Sequence, residues 1–208
     1  MCGFPPEGEV SLLAQAIHEM WGFASAQEAM QGRRAEDQAA ASLVGATSVH
    51  FDFLDAIYRR EAGGAWAYPE EVCVPMQPVD AGLPAEIAQA ISLRLLPDDV
   101  LVCQLAVGGH VDHRIVRLAA ELLGRPRWYD VDIPYAFNHP EEVEPATAAL
   151  KGSVQPISDA SVLVWQDAIL AYPSQFSGLF TNPGAMREFI HAYWAQQNGI
   201  NLWRDERE

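Results

Sequence analysis

"VLVCQLAVGGHVDHRIVRLAAELLG", Val100–Gly124, holds one whole passage from strand to helix. Val100–Val107 is a mostly apolar run with β-branched residues, which predicts a strand. Val111, Ile115, Leu118 and Leu122 then repeat at helical spacing, and Gly124 is placed to close that helix. Gly108 and Gly109 form the joint. His110, Asp112 and His113 follow it at once, in a chain with only 6 histidines.

Working outward, the same signals recur. Ser11–Trp21 has Leu12, Leu13, Ala16, Ile17 and Met20 on one face and predicts a helix. Ala26–Val44 predicts a second, with Gly45 as its stop. "SVHFDF", Ser48–Phe53, alternates and predicts a strand. Residues 55–82 read as a long irregular segment, of the kind that is functional or mobile when it occurs in a compact domain. Pro84–Leu96 predicts a helix with proline in its first turn. "RWYDVDIPYAF", Arg127–Phe137, predicts a strand ended or bent by Pro134, and Glu141–Gln155 reads as acidic and loose. Helices are predicted over Ser158–Ala171 and Gly184–Gln197, the second capped by "TNPG". Alternating helices and strands imply an α/β fold with a mostly parallel sheet, read as a single domain over residues 1–208. In open sheets of this kind, sites lie beyond the carboxyl ends of the strands, where "GGHVDH" sits.

Composition narrows the function. With 13 Lys and Arg against 28 Asp and Glu, the net charge is −15. Such a surface repels phosphate backbones and anionic membranes, so neither nucleic acid nor membrane is an expected partner. Cys2, Cys73 and Cys103 are odd in number and far apart, which fits neither a disulfide framework nor a CxxC metal pair. Cys103 reads as a reduced core residue. No stretch is long enough for a membrane span and none reads as a secretory signal, so the expected location is cytoplasmic. Oligomeric state has no signature.

A neutral imidazole is a good zinc ligand when a carboxylate or carbonyl fixes its other nitrogen. An imidazole also serves as an acid, or as an electrophile beside a developing oxyanion. The plainer reading of His110, Asp112 and His113 is a helix start in which Asp112 favours the dipole and the histidines are incidental. "HPEE", His139–Glu142, also follows a strand. It reads as a solvated acidic loop running on to Glu144, with a His/Glu ligand pair as the alternative. Trp21, Trp165 and Trp194 read as core, His50 as half-buried structure, and His18 and His191 as exposed or packed on helices. Trp66 and Tyr68 read as loop packing, with stacking on a sugar ring as the alternative. Ser174 and Gln175 read as a cap on the helix before them.

"LAVGGHVDHRIVRLAAELLG" resembles the His-x-Asp-His segment of the PIG-L/LmbE-like family of zinc-dependent N-deacetylases. "GRRAEDQAAASLVGATSVHFDFLDA" is similar to that family's R-x-x-E helix and the strand after it, and "AILAYPSQ" to its late helix ending in Ser-Gln. The resemblance runs from about residue 32 to 197 and implies a Rossmann-like three-layer fold. It implies zinc as cofactor, with His113 as a ligand. His110 would stabilise the oxyanion or act as acid, and Asp112 would orient its neighbours. Arg33 would contact substrate, with Glu36 as its motif partner and Asp55 as a further substrate-side residue. The implied reaction is hydrolysis of an N-acyl group, usually acetyl, from an amino-sugar-containing small molecule or glycoside. Where some members carry a tyrosine two residues before the first histidine, this chain has Gly108. The family's other two zinc ligands and its general base come from an N-terminal His-Pro-Asp-Asp motif that does not occur in this sequence. The fold is therefore expected to be N-terminally truncated, the missing segment lying upstream, and the chain by itself is expected to be inactive. The alternative is a non-catalytic ligand-binding protein on the same scaffold.

Overall fold

The computed structural model describes residues 3–196 and 198–205. Cys2 and the final residue of the helix predicted to Gln197 lie outside them. The elements run α1 (Leu12–Trp21), α2 (Ala26–Leu43), α3 (Leu83–Ser92), β1 (Leu101–Gln104), α4 (Val111–Leu122), β2 (Arg127–Asp130), α5 (Tyr135–Asn138), α6 (Pro140–Thr147), β3 (Leu150–Pro156), α7 (Asp159–Leu170), α8 (Pro173–Leu179), α9 (Pro183–Ala195) and β4 (Gly199–Asp205). They form two compact units, one from Met1–Arg59 and Pro156–Ile200, the other from Arg60–Gln155 and Asn201–Glu208.

The first unit is helical. Its helix starts are set by side-chain caps, each satisfying an orphan backbone donor. Ser11 Oγ accepts from Ala14 N at 3.0 Å, Ser25 Oγ from Glu28 N at 3.2 Å, Ser158 Oγ from Ser161 N at 3.2 Å and Asn182 Oδ1 from Ala185 N at 2.9 Å. Helix α1 packs on α2 and α8, α2 on α7, and α7 on α9. Ala14, Ala29, Met30, Val162, Met186 and Ile190 are buried there. Trp21, Trp165 and Trp194 are half-buried rather than core.

Two adjacent acids of α2 join distant parts of this unit. Glu36 accepts from Ser174 N at 2.8 Å and from Ser174 Oγ at 2.6 Å. Asp37 takes the Tyr172 hydroxyl at 2.7 Å and His50 Nε2 at 2.8 Å. Ser174 therefore starts α8 against α2 instead of capping the helix before it. "AILAYPSQ" is divided between α7 and α8, with Pro173 in the first turn of the new helix.

The second unit carries the sheet, ordered β1-β2-β4-β3. Strands β1 and β2 are parallel, with Leu101 opposite Arg127 and Gln104 opposite Asp130. Strands β2 and β4 are antiparallel, with Tyr129 opposite Trp203. The mostly parallel sheet expected from alternation is met in the β1–β2 pair, and the chain's last strand reverses direction. Helix α4 lies on β1 and packs against α3. Ile87, Leu105, Val107, Val111, Ile115 and Tyr129 form the core.

Three expectations change. Ser48–Phe53 is not a strand: alternation describes a strand only where a ladder partner exists, and among the described residues its backbone pairing is one bond, Gly3 N to Phe53 O at 2.9 Å. The "loose" Glu141–Gln155 contains α6 and β3. Gly199–Asp205, read as nothing, is β4. No helix among the described residues is long and apolar enough to cross a membrane.

Replacing Glu36 with alanine removes the acceptor of two hydrogen bonds and leaves the buried Ser174 N–H unmatched. We expect a loss of about 2–3 kcal/mol, read as a lower urea midpoint with an unchanged slope.

Candidate active site

The turn between β1 and α4 is built from unusual backbone. Ala106, Gly108 and Gly109 have φ of 62°, 78° and 72°. A left-handed alanine costs about 1–2 kcal/mol, and such outliers cluster where a site needs a particular chain path. A Cβ on Gly108 would lie 2.8 Å from Tyr135 Cδ1, so only glycine lets the turn lie under that ring. The Gly108 N–H donates to Glu142 Oε2 at 3.0 Å.

The turn delivers His110 as the N-cap of α4. Its Nδ1 accepts from Asp112 N at 3.1 Å. A neutral His110 therefore carries its proton on Nε2. One turn on, His113 Nδ1 lies 2.7 Å from Asp132 Oδ1, and Asp132 Oδ2 accepts from Val107 N at 3.1 Å. The Asp132 side chain is 1% exposed. A buried carboxylate with these two partners holds the His113 proton on Nδ1 and leaves the Nε2 lone pair as the donor atom. The two rings lie 5.1 Å apart. Neighbouring imidazoles thus present opposite faces of their chemistry, N–H from His110 and a lone pair from His113.

The carboxylate that orients His113 is Asp132, which the sequence reading missed. Asp112 is buried, and its bond to His110 runs through its backbone N–H. The signal for Asp132 was its place two residues past the end of β2, in "YDVDIP". A cavity of about 330 Å³ opens beside His113, lined also by Cys103, Gln104, Asp130, Val131, Asp132 and Tyr135. Tyr135 meets the His113 ring edge-on at 5.6 Å. Partial desolvation in this cavity, with the nearby Asp132 charge, pushes the Asp130 carboxyl up to about 6. Burial pushes the Cys103 thiol up to about 11, so it stays protonated, as a reduced core cysteine should.

Arg33 and Asp55 belong to the first unit. Arg33 Nη1 lies 3.5 Å from Asp55 Oδ2, and the guanidinium sits 4.7 Å over the Trp21 ring. Asp55 Oδ1 accepts from Ile57 N at 3.3 Å and shapes the turn that carries Tyr58. The Tyr58 hydroxyl bonds His18 Nε2 at 2.6 Å. Burial, then the Asp55 charge, raises the Tyr58 pKa and keeps its proton on. In the second unit, Tyr68 is buried and donates to Asp80 Oδ2 at 2.6 Å, while Trp66 lies under the Arg60 guanidinium. Tyr68 is thereby committed to loop packing, while Trp66 is half-buried with Arg60 over one face.

No family model matches the chain, and no curated protein does. Solved structures do. A deacetylase–bog complex from the biosynthesis pathway of teicoplanin aligns with a TM-score of 0.82 at 25% identity, over 100% of this chain and 86% of that one. A deacetylase–teicoplanin complex from the same pathway aligns with a TM-score of 0.78 at 25% identity, over 98% and 84%. The zinc-inhibited form of a teicoplanin deacetylase gives 0.81 at 24%, over 100% and 86%. The fold is that of these deacetylases. It is a mixed α/β fold, as the alternating pattern implied.

Gly108→Ala combines a left-handed backbone with a collision against Tyr135, and should cost at least the 1–3 kcal/mol of such strain. Gly45→Ala, at a φ of 71° with nothing within 4 Å, should cost about 1–2 kcal/mol. Paired denaturation curves check the order.

Burial lowers the His18 pKa from its ordinary 6.5, against the opposing Asp55 charge. The unfolded chain then takes a proton near pH 6.5 that the native chain resists, so stability falls as pH drops below that value. Urea midpoints between pH 7.5 and 5 should show this fall, and His18→Gln should flatten it. An identical profile in the variant removes His18 as the cause.

Proposed function

We propose that this chain carries the His-x-Asp-His part of a zinc-dependent N-deacetylase acting on an acylated amino sugar of a glycosylated small molecule. The observation that carries the reading is the pair of tautomers: His113 keeps its lone pair on Nε2 because Asp132 holds Nδ1, and His110 keeps its proton on Nε2 because its Nδ1 accepts from Asp112 N. That is the arrangement of a metal-ligating imidazole beside an electrophilic one. Two solved neighbours that share the fold are deacetylases of teicoplanin biosynthesis, and one was obtained as a zinc-inhibited form, which supports the substrate class and a zinc-binding site.

His113 fits zinc as one of the three protein ligands that a catalytic site needs. The bound ion would polarise the acyl carbonyl and lower the pKa of its water to about 7. His110 Nε2–H would stabilise negative charge on the acyl oxygen. Asp132 keeps His113 in its tautomer. Asp112 closes the first turn of α4 onto His110. Arg33, braced by Trp21 and Asp55, binds sugar hydroxyls or a substrate carboxylate. With no His-Pro-Asp-Asp motif in the sequence, two ligands and the general base are not supplied by the family's set, and the chain alone does not turn over.

The test measures acetate released from an N-acetylglucosaminyl glycoside in zinc buffer, by the chain alone and by the chain carrying a His-Pro-Asp-Asp strand and loop at its start. Acetate should appear only in the second form. There, His113→Ala should abolish it, His110→Ala should lower kcat by about 10²–10³-fold, and Arg33→Ala should mainly raise KM. No acetate from either form, with glycoside binding retained and weakened by Arg33→Ala, would favour a non-catalytic binding protein instead.

A further inference from the structure

Besides His113, the second unit holds another group of metal-ligating side chains. His139 precedes α6, and Glu141 and Glu142 lie in its first turn. His139 Nδ1 is 3.7 Å from Glu141 Oε1 and 3.9 Å from Glu142 Oε1, and the three ligand atoms lie within 4.8 Å of one another. We propose that His139, Glu141 and Glu142 form a divalent-cation site, with zinc as the preferred ion.

Three observations carry it. The separations are too long for hydrogen bonds, yet close to what an ion requires. Ligands at 2.0–2.2 Å on a tetrahedral zinc stand roughly 3.3 Å apart, so small side-chain rotations close the site. Second, Glu142 is positioned from outside the group. Its Oε2 is fixed by the Gly108 N–H, 34 residues earlier in the chain, while its Oε1 faces His139. Two adjacent glutamates with nothing to hold them would swing apart by mutual repulsion. Here one of them is anchored with its second oxygen turned toward the imidazole. Third, His139 makes no side-chain cap bond to α6, so its ring is not committed to the helix start.

One nitrogen and two carboxylates make a borderline donor set that favours zinc over magnesium or calcium, which take oxygen ligands. All three side chains are reached by water, so water completes the shell. The two carboxylates balance the ion's charge, and the first-turn N–H groups of α6 stabilise those carboxylates. The site is separate from the role proposed for His113, which does not use these residues. Because Glu142 also holds Gly108, an ion here would stiffen the turn that presents His110.

The experiment is calorimetric titration of the dialysed chain with zinc chloride, repeated with magnesium chloride. The expected result is one zinc equivalent that disappears in His139→Ala, weakens at least tenfold in Glu141→Gln and Glu142→Gln, and persists in His113→Ala. The exposed Glu141→Gln variant guards against misfolding, with circular dichroism as the check. Zinc-dependent shifts of the His139 ring resonances give an independent readout. The proposal is overturned if zinc binds equally to His139→Ala, if it is lost only in His113→Ala, or if nothing binds up to millimolar zinc. Loss in His113→Ala alone would instead support the reading of the His110–His113 pair.

Discussion

The Asp132 carboxylate is the pivot of the second unit. Its side chain is 1% exposed, and a polar group so placed needs hydrogen bonds to replace the water it has lost. One oxygen meets His113 on the first turn of α4, and the other accepts the Val107 N–H in the turn that follows β1. The β1–α4 turn, the helix start and the loop after β2 are thus tied at one carboxylate. The left-handed turn at Gly108 and Gly109 follows, because the chain must reverse within a few residues to bring His113 onto Asp132. The tautomer of His113 follows as well. A neutral residue at 132 would leave Val107 N–H and His113 competing for what remained.

Acidic side chains do comparable work in the first unit. Glu36 and Asp37 point to different partners from adjacent positions on α2, one to the start of α8 and the other to Tyr172 and His50. Asp55 shapes a short turn and faces Arg33. The excess of acids over bases is therefore not simply a solvated surface. Several of these acids are the acceptors that locate helices and hold cations and imidazoles in place.

At 25% identity or below, likeness to solved deacetylases speaks to the fold, and one fold hosts many activities. What the chain's own residues add is local: two imidazoles 5.1 Å apart, whose protons are set by different acceptors. The cavity beside His113 and the raised Asp130 carboxyl belong to the same neighbourhood. The helix start at His139 adjoins it through Glu142 and Gly108. The metal-binding and acyl-oxygen roles proposed for this protein are thus concentrated around one turn of the second unit.

The sequence by itself determined the elements whose signals are local. Ser11, Ser25, Ser158 and Asn182 cap helices because a short polar side chain reaches its own first turn wherever the rest of the chain lies. The strand–glycine–glycine–helix passage was legible for the same reason, and with it His110 and His113. Tertiary structure decided what depended on a partner far along the chain. Ser48–Phe53 has the alternation of a strand but no ladder, whereas Gly199–Asp205, with weaker patterning, pairs with β2 and becomes one. Asp132 looked like any loop carboxylate until folding set it 2.7 Å from His113. Ser174 looked like a cap until Glu36, 138 residues away in sequence, took both its hydrogens. Periodicity and capping are properties of a few consecutive residues, while a hydrogen bond between distant segments exists only once the chain has brought them together.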